Sequence, residues 1–509
     1  MITNKTSRAL WLFAGLASLL TVVGCGGNGN VIPHTSGNYS NASFKGSYVF
    51  QIHGFIPQTN NAVGFAYREV GVITADGNGN ITAGTDDLSY VGAGRVIPSS
   101  ANITGTYSIA NDGTGQIFLS STSLGSLFSA QIQLAVTLTS TSAAYLQEAD
   151  IFADGAGTAE LQDSTAITTA PAGPFVFRLH DDGPTSESEV GIFTITGSNL
   201  SGSLDQDTIS AASQLTFNGS FTAPSGSGVG TATFTDSSSA TTSLIYFIVN
   251  SAKFYFLVSN GPTGSGSAEA QTGSVSAGLA GSYVFGSRGD DLTGGNAAVA
   301  TVGQFTGSGA TITKGALDSM QDENYNGLLA TLTGTGVGSP SAQGRVEINL
   351  TSGSTPLPTM VLWMVSPSRA YFLFENQSAV EDGTADLQTG TSFNASTFDG
   401  QFAMVMDGID SLSGIEEAVS RIGLLQFDGS GHNTIVELVN DSSSGGGSQN
   451  PGALSGSYSV GGSGRIATQV TNSNGGGPDL VLYAISGSQA YALQIDPGTN
   501  TSGTIELQQ

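Results

Sequence analysis

Cysteine and basic residues are scarce in this 509-residue chain, and their scarcity excludes several kinds of protein. A single Cys cannot form an intrachain disulfide or a zinc site built from several cysteines. Thirteen Lys and Arg residues stand against 39 Asp and Glu, for a net charge of −26. Because phosphate binding depends on basic side chains, this balance argues against a nucleic-acid partner. The 39% hydrophobic content is too high for a disordered acidic tail.

Histidines are also few, and the familiar catalytic motifs are missing. His34, His53, His180 and His432 are the only side chains whose ordinary pKa lies near neutrality. The sequence contains no Gly-x-Ser-x-Gly elbow, no HExxH pair and no phosphate-binding loop. We therefore expect a protein that is not an enzyme and holds no cofactor, and a hydrolase of unfamiliar type is the least favoured alternative.

The N-terminus has the pattern of an export signal. Lys5 and Arg8 precede a mostly apolar run over 9–24, and its 16 residues fall short of the ~20 that span a bilayer. The run ends in TVVGC, which resembles the lipobox of bacterial lipoproteins. This resemblance implies cleavage of a signal peptide over 1–24, acylation of Cys25 and attachment to the membrane. Gly26, where an Asp would favour retention in the inner membrane, implies the outer membrane by the same resemblance.

Residues 25–43 are rich in Gly, Asn and Ser and predict a flexible tether, after which four internal repeats follow. Each repeat opens with a strand motif, namely KGSYVF, AGPFVF, AGSYVF or DGQFAM. Each closes with a strand ending in Gln, namely GTAELQ, GSAEAQ, GTADLQ or GTIELQ. Two further markers recur in the same order between them. The repeats predict four units over 44–164, 171–273, 278–390 and 397–509.

Within each unit, short β-rich runs alternate with turn signals, and helical periodicity is missing. The first unit predicts eight strands, near 46–53, 65–75, 79–90, 103–110, 114–120, 129–139, 143–150 and 157–162. Long links alternate with tight turns, as in an antiparallel meander whose two ends differ. Eight such strands can close into a barrel and remove the exposed sheet edges. The fold class is therefore all-β, with four tandem eight-stranded antiparallel meander barrels. Tandem Ig-like β-sandwiches are the alternative.

The opening motif of each unit carries a second resemblance. Gly-x-Tyr at Tyr48 and Tyr283, and Gly-x-Phe at Phe175 and Phe402, resemble the opening of the calycin barrels, the lipocalin and avidin group. This resemblance implies that a ligand enters at the barrel end formed by the long links, which join strands one and two, three and four, and five and six. Trp363 is the only Trp after the signal region, so a Trp-lined pocket is not implied.

One position varies between the repeats in a way that bears on function. The seventh residue after the opening Gly is His53, His180, Arg288 or Asp407. Acidic residues cluster nearby, and in the third unit they predict an acidic rim at the open end of the barrel. Its members are Asp290, Asp291, Asp318, Asp322 and Glu323. Such a rim could bind a divalent cation through several carboxylate oxygens, whereas solvated turns are the simpler interpretation.

The combined features favour a lipid-anchored protein of the cell envelope that binds or adheres without catalysis. A small-molecule, glycan or protein ligand at the open barrel ends, a monomeric state and no nucleic-acid partner belong to this interpretation. A passive structural or spacer lipoprotein is the alternative. Four open barrel mouths would favour binding, four filled barrels a structural role, and titratable groups gathered in one pocket an enzyme.

Overall fold

The computed structural model describes residues 37–56, 64–91, 94–97, 103–120, 131–150, 153–182, 186–208, 210–291, 297–322, 324–376, 378–390, 392–410, 417–442, 453–471 and 477–509. The predicted signal peptide, Cys25 and most of the tether lie outside these ranges. Besides β-strands, the described residues form two short 3-10 turns, at Asn41–Ser43 and Ala395–Thr397. None of the described helices is long and apolar enough to cross a membrane.

The strands follow one another along the chain in four groups. The first group is β1 Lys45–Ile56, β2 Phe65–Asp76, β3 Asn80–Tyr90, β4 Gly94–Ile97, β5 Thr104–Ile109, β6 Thr114–Ser120, β7 Gln131–Ser140, β8 Ala143–Glu148 and β9 Asp154–Leu161. The second is β10 Gly173–Asp182, β11 Glu187–Thr196, β12 Asn199–Thr208, β13 Ala212–Phe221, β14 Val229–Asp236, β15 Thr241–Asn250, β16 Lys253–Val258 and β17 Thr263–Ala270. The third is β18 Leu279–Asp291, β19 Ala297–Gly309, β20 Thr311–Gln321, β21 Asn324–Gly336, β22 Arg345–Ser352, β23 Thr355–Ser366, β24 Arg369–Glu375 and β25 Ala379–Leu387. The fourth is β26 Asp399–Asp410, β27 Glu417–Asp428, β28 His432–Ser442, β29 Ala453–Val460, β30 Arg465–Thr471, β31 Asp479–Ala484, β32 Gln489–Gln494 and β33 Thr499–Leu507.

Each group closes into an antiparallel barrel, which confirms the predicted fold class. In the second, third and fourth groups, eight consecutive strands pair in order and the last returns to the first. The first group closes in the same way through eight strands, and the ninth, β4, pairs with β3. The short strand β4 was not predicted from the sequence. Because every barrel is a meander of neighbouring strands, the Ig-like sandwich alternative is wrong.

The interior of each barrel is filled by apolar side chains. On β1, Tyr48 and Phe50 point inward and join a core of the first barrel that includes Phe44 and Ile52. The other three barrels contain equivalent cores, rich in Phe in the second and in Met and Phe in the fourth. A cavity of about 20 Å³ remains in the second barrel, room for roughly one water molecule. The open, ligand-sized barrel ends implied by the calycin resemblance are therefore not seen among the described residues.

Side chains on the outer faces of the barrels form four further apolar clusters, each shared by two barrels. Val49 and Val72 of the first barrel meet Phe247 and Leu257 of the second. The second and third barrels share a cluster around Val176, Val190, Val361, Trp363 and Tyr371. The third and fourth share one around Val284, Val302, Val481, Tyr483 and Leu493. Ala135, Tyr145 and Ala156 of the first barrel meet Ala403, Val405 and Ile422 of the fourth. The four barrels therefore close into a ring.

The Gln that ends each repeat joins its barrel to the next one. The Gln271 side-chain amide donates to the carbonyls of Gln343 and Met364, both at 2.8 Å. Gln162 and Gln388 make equivalent pairs of bonds, to Ser227 and Ile248 and to Ser463 and Ala484 respectively. Gln508, at the end of the fourth barrel, donates to the carbonyls of Asp112 and Leu138 in the first. The same pair of hydrogen bonds thus occurs at all four contacts between barrels, and the contact between the fourth and first barrels closes the ring.

An acid two residues before that Gln strengthens three of the four interfaces. The Tyr371 hydroxyl donates to Glu269 at 2.7 Å, and the Tyr491 hydroxyl donates to Asp386 at 2.6 Å. The Tyr255 hydroxyl donates to Glu160 in the same way. The closing motif, an acid followed two residues later by Gln, is therefore the connector between barrels.

Candidate functional site

The centre of the ring is a cavity of about 200 Å³ to which all four barrels contribute side chains. The variable seventh position of each repeat lines it, with His53, His180, Arg288 and Asp407. Each of these residues lies on the first strand of its barrel. Because strand side chains alternate, they point outward while their neighbours fill the barrel core. The variable position therefore marks the ring centre and not a barrel mouth.

Asp407 ties three barrels together at this cavity. The His53 Nε2 atom lies 2.7 Å from Asp407 Oδ2. Arg288 Nη1 donates to both carboxylate oxygens of Asp407, at 2.8 and 2.9 Å. His53 belongs to the first barrel, Arg288 to the third and Asp407 to the fourth. The Asp407 side chain is only 17% exposed, so its charge is compensated within the protein.

His180 lies among carboxylates in the same cavity. Its Nδ1 atom lies 2.7 Å from Asp382 Oδ2. Its Nε2 atom lies 3.7 Å from oxygens of both Asp182 and Asp290. Arg68 of the first barrel grips Asp182 through Nε and Nη2, at 2.5 and 2.7 Å. Arg68 and His180 thus place positive charge beside acids from the second and third barrels.

The two histidines occupy equivalent positions but have opposite pKa shifts. Burial lowers the pKa of His53 to about 4, and the nearby Arg288 adds to the effect. Burial opposes the charge on His180 as well, but the nearby carboxylates of Asp290 and Asp382 raise its pKa to about 10. At neutral pH His53 is therefore neutral and His180 is an imidazolium.

The His180, Asp182 and Asp290 side chains lie close enough together to hold a metal ion, and they are the one such group among the described residues. The charges of these groups nevertheless favour a protonated His180 over a bound metal ion. Arg68 already neutralises Asp182, and the raised pKa of His180 keeps a proton on the imidazole that a metal ion would have to displace.

A serine hydroxyl close to His180 does not form a hydrolytic triad. Ser188 Oγ lies 2.9 Å from His180 Nδ1, the same nitrogen that contacts Asp382, and it donates to Asp382 at 2.8 Å. A Ser-His-Asp triad uses the two ring nitrogens for different partners. Ser188 is also fully buried, so a substrate carbonyl could not reach it.

The expected acidic rim is divided among the described residues, where only Asp291 and Asp322 lie near each other, and burial and Asp291 raise the pKa of Asp322. Asp290 lines the central cavity, whereas its neighbour Asp291 is fully buried and accepts a hydrogen bond from Gln321. Asp318 lies between the third and fourth barrels, where Arg465 donates to both of its oxygens at 2.8 Å. Asp322 lies in a turn directly after β20, and Glu323 lies outside the described residues. Neighbouring strand residues point to opposite faces, which is why a set chosen along the sequence was divided.

Other acids near the barrel ends are buried instead of solvated. Asp181 and Glu189 of the second barrel are 3% and 4% exposed. Burial raises the pKa of both carboxyl groups well above the ordinary value. These two acids therefore belong to the buried part of the second barrel and not to a solvated surface.

Sequence reasoning missed Arg68, Arg178 and Asp382 as members of the central site. Arg68 is the register partner of His53 across β1 and β2, and Asp382 is the partner of Arg288 across β18 and β25. Arg178 precedes His180 by two residues on β10 and so shares its face. Strand pairing of the repeat motifs could have found all three.

Comparison with known proteins leaves the function open. No family model and no curated protein matches the chain. A solved structure described as intact Ap-TbpB, with its N and C lobes, aligns with 71% of this chain and 82% of its own, at 8% sequence identity. The TM-score of that alignment is 0.17, which is too low for any function to be inferred from the likeness.

Proposed function

We propose that this is a lipid-anchored, non-catalytic binding protein of the cell envelope, and that its ligand site is the cavity at the centre of the ring. The supporting observation is the gathering of scarce residues. Of nine Arg and four His in the sequence, the cavity is lined by Arg68, Arg178, Arg288, His53 and His180. Although the chain has a net charge of −26, a third of its arginines line this one cavity of about 200 Å³.

The cavity size favours a small molecule over a glycan chain or a protein segment. Ligand pockets for drug-sized compounds are typically about 300–1,000 Å³, so about 200 Å³ suits something smaller. The four barrels would act as a rigid frame that holds the charged groups in place. The binding unit would be a monomer, because one chain supplies all four walls.

A passive structural role is the second candidate, and the filled barrel cores favour it. A ring held together by apolar clusters and repeated connectors would also serve as a stiff spacer. In that case the central ion pairs would only fix how the barrels meet. Ligand binding in the cavity separates the two candidates.

The binding proposal is tested by filling the cavity. Ala298 lines it, and Ala298→Phe would place a ring inside, whereas Ala211→Phe adds the same ring at an exposed turn. A thermal-shift panel of small anionic, neutral and cationic compounds should contain members that raise the Tm of the wild-type protein and the Ala211→Phe control. Ala298→Phe should abolish those shifts. A panel without any shift, or shifts that survive Ala298→Phe, would favour the spacer.

Anchoring at Cys25 is tested separately. Replacing Cys25 with Ser removes the thiol that the lipobox resemblance identifies as the acylation site. Several acyl chains hold a protein to a membrane at about 0.8 kcal/mol per buried methylene, so the variant should move from the outer-membrane fraction to the soluble fraction. A Cys25→Ser protein that stays with the membrane would contradict lipid anchoring.

A further inference from the structure

Two of the arginines in the central cavity keep hydrogen-bond donors that the described residues do not use. Arg288 contacts Asp407 through Nη1 alone, which leaves Nε and Nη2 without a bond. Arg178 makes one long bond of 3.3 Å, from Nη1 to Asp382, and its guanidinium lies 5.8 Å from the Tyr371 ring centre. Both side chains are 36% exposed and line the same cavity.

Arg68 shows what a satisfied guanidinium looks like in the same cavity. It uses Nε and Nη2 together on Asp182, in the two-point geometry that stabilises a carboxylate best. Its side chain is only 10% exposed. Arg68 therefore stabilises the contact between the first and second barrels, whereas Arg178 and Arg288 present planar donor groups to the cavity.

Arg288 lies beside two other guanidinium groups as well as its carboxylate partner Asp407. Burial lowers the pKa of Arg288, the carboxylate of Asp407 raises it, and the neighbouring Arg68 and Arg178 lower it again by repulsion. A negative group between Arg178 and Arg288 would relieve that repulsion, and its oxygens would accept hydrogen bonds from the unused N–H groups. Guanidinium groups bind carboxylates and phosphates because the spacing of their donors matches two acceptor oxygens.

We infer that the central cavity binds a small free oxyanion, a carboxylate or a phosphate, clamped between Arg178 and Arg288. This inference rests on the proposed function, since it names the ligand class for the same cavity. Arg178 comes from the second barrel and Arg288 from the third, so the clamp exists only when the ring is assembled.

The test compares inorganic phosphate, malonate and glucose as probes by calorimetry and thermal shift. Phosphate or malonate should raise the wild-type Tm more than sodium chloride at matched ionic strength, which controls for screening. Arg178→Gln and Arg288→Gln should each weaken the binding at least tenfold. Arg369→Gln removes the same charge from the interface of the second and third barrels, where Arg369 pairs with Glu269, and should leave the affinity unchanged.

The outcomes separate this inference from the proposed function. Oxyanion binding that is lost in the two cavity variants and kept in Arg369→Gln supports the clamp. If only glucose or another uncharged probe binds, and Ala298→Phe abolishes that binding, the cavity is a ligand site but the oxyanion clamp is overturned. If the wild-type protein gives no shift with any probe beyond matched salt, both are overturned. This last outcome is measured on the wild-type protein alone, so it does not depend on whether any variant folds.

Discussion

His53 and His180 stand at the same place in two repeats, yet their neighbours give them opposite roles in stability. His180 has a folded-state pKa of about 10, above the ordinary value of about 6.5. Its contribution to folding is therefore complete below about pH 6.5 and lost as the pH rises towards 10. His53 has a folded-state pKa of about 4. It therefore destabilises the fold as the pH falls from about 6.5 to 4, because the unfolded chain binds the proton first.

Replacement of each histidine by Gln should show these opposite slopes. His180→Gln breaks a buried charge pair and should cost about 3–5 kcal/mol near pH 6, with the difference from wild type shrinking towards pH 10. His53→Gln keeps a side-chain donor for Asp407 and should gain stability relative to wild type as the pH falls towards 4. Urea unfolding across this pH range measures both. Parallel pH profiles for the wild type and the two variants would contradict these assignments.

At the scale of elements, the closing strand of each repeat does more than complete its barrel. Gln388 at the end of the third barrel donates to the carbonyls of Ser463 and Ala484 in the fourth, at 3.0 and 2.7 Å. Gln388→Glu replaces a donor by an acceptor with almost no change of shape. Two carbonyls then lose their partner and face a carboxylate. Because unmet polar groups cost about 1–3 kcal/mol, we expect a loss of at least that size.

Gln116 provides the control for this substitution, since it lies exposed on β6 and makes none of the bonds between barrels described above. Gln116→Glu should change the free energy of unfolding by less than about 0.5 kcal/mol. Chemical denaturation of the two variants beside the wild type makes the comparison. Equal effects of the two substitutions would mean that the closing Gln does not join the barrels.

The elements were largely readable from the sequence, while the arrangement of the barrels was not. Ordered repeats and alternating link lengths predicted four closed meanders, because local turn chemistry and strand periodicity specify each barrel. The central site depends on which outward-facing side chains meet across barrels. The described residues of the expected acidic rim are divided for that reason, since Asp290 and Asp291 are neighbours in sequence but point to different environments. The variation at the seventh position of each repeat could be seen in the sequence, as His53, His180, Arg288 and Asp407. That this position lies at the ring centre could not.

At the scale of the molecule, the described residues between 37 and 509 form one compact unit and not a string of separate domains. The Gln508 connector and the cluster around Ala403 and Ile422 bring the last barrel onto the first. The unit boundaries from the repeats stay a prediction for how fragments fold. A barrel removed from the ring would expose apolar residues such as Val284 and Trp363, so a lone third unit, 278–390, should be less stable than the ring.

Ring closure is the claim on which the central site depends, and small-angle X-ray scattering tests it directly. A chain of residues 26–509 folded into one compact body should have a radius of gyration of about 23 Å, by the size scaling of globular proteins. Each barrel alone should have a radius of gyration of about 13 Å by the same scaling, and four of them strung end to end should exceed about 30 Å because the distances between barrel centres add to the value. A value near 23 Å in dilute solution supports the closed ring. A value above about 30 Å would mean that the first and fourth barrels do not meet, and that the central cavity does not form.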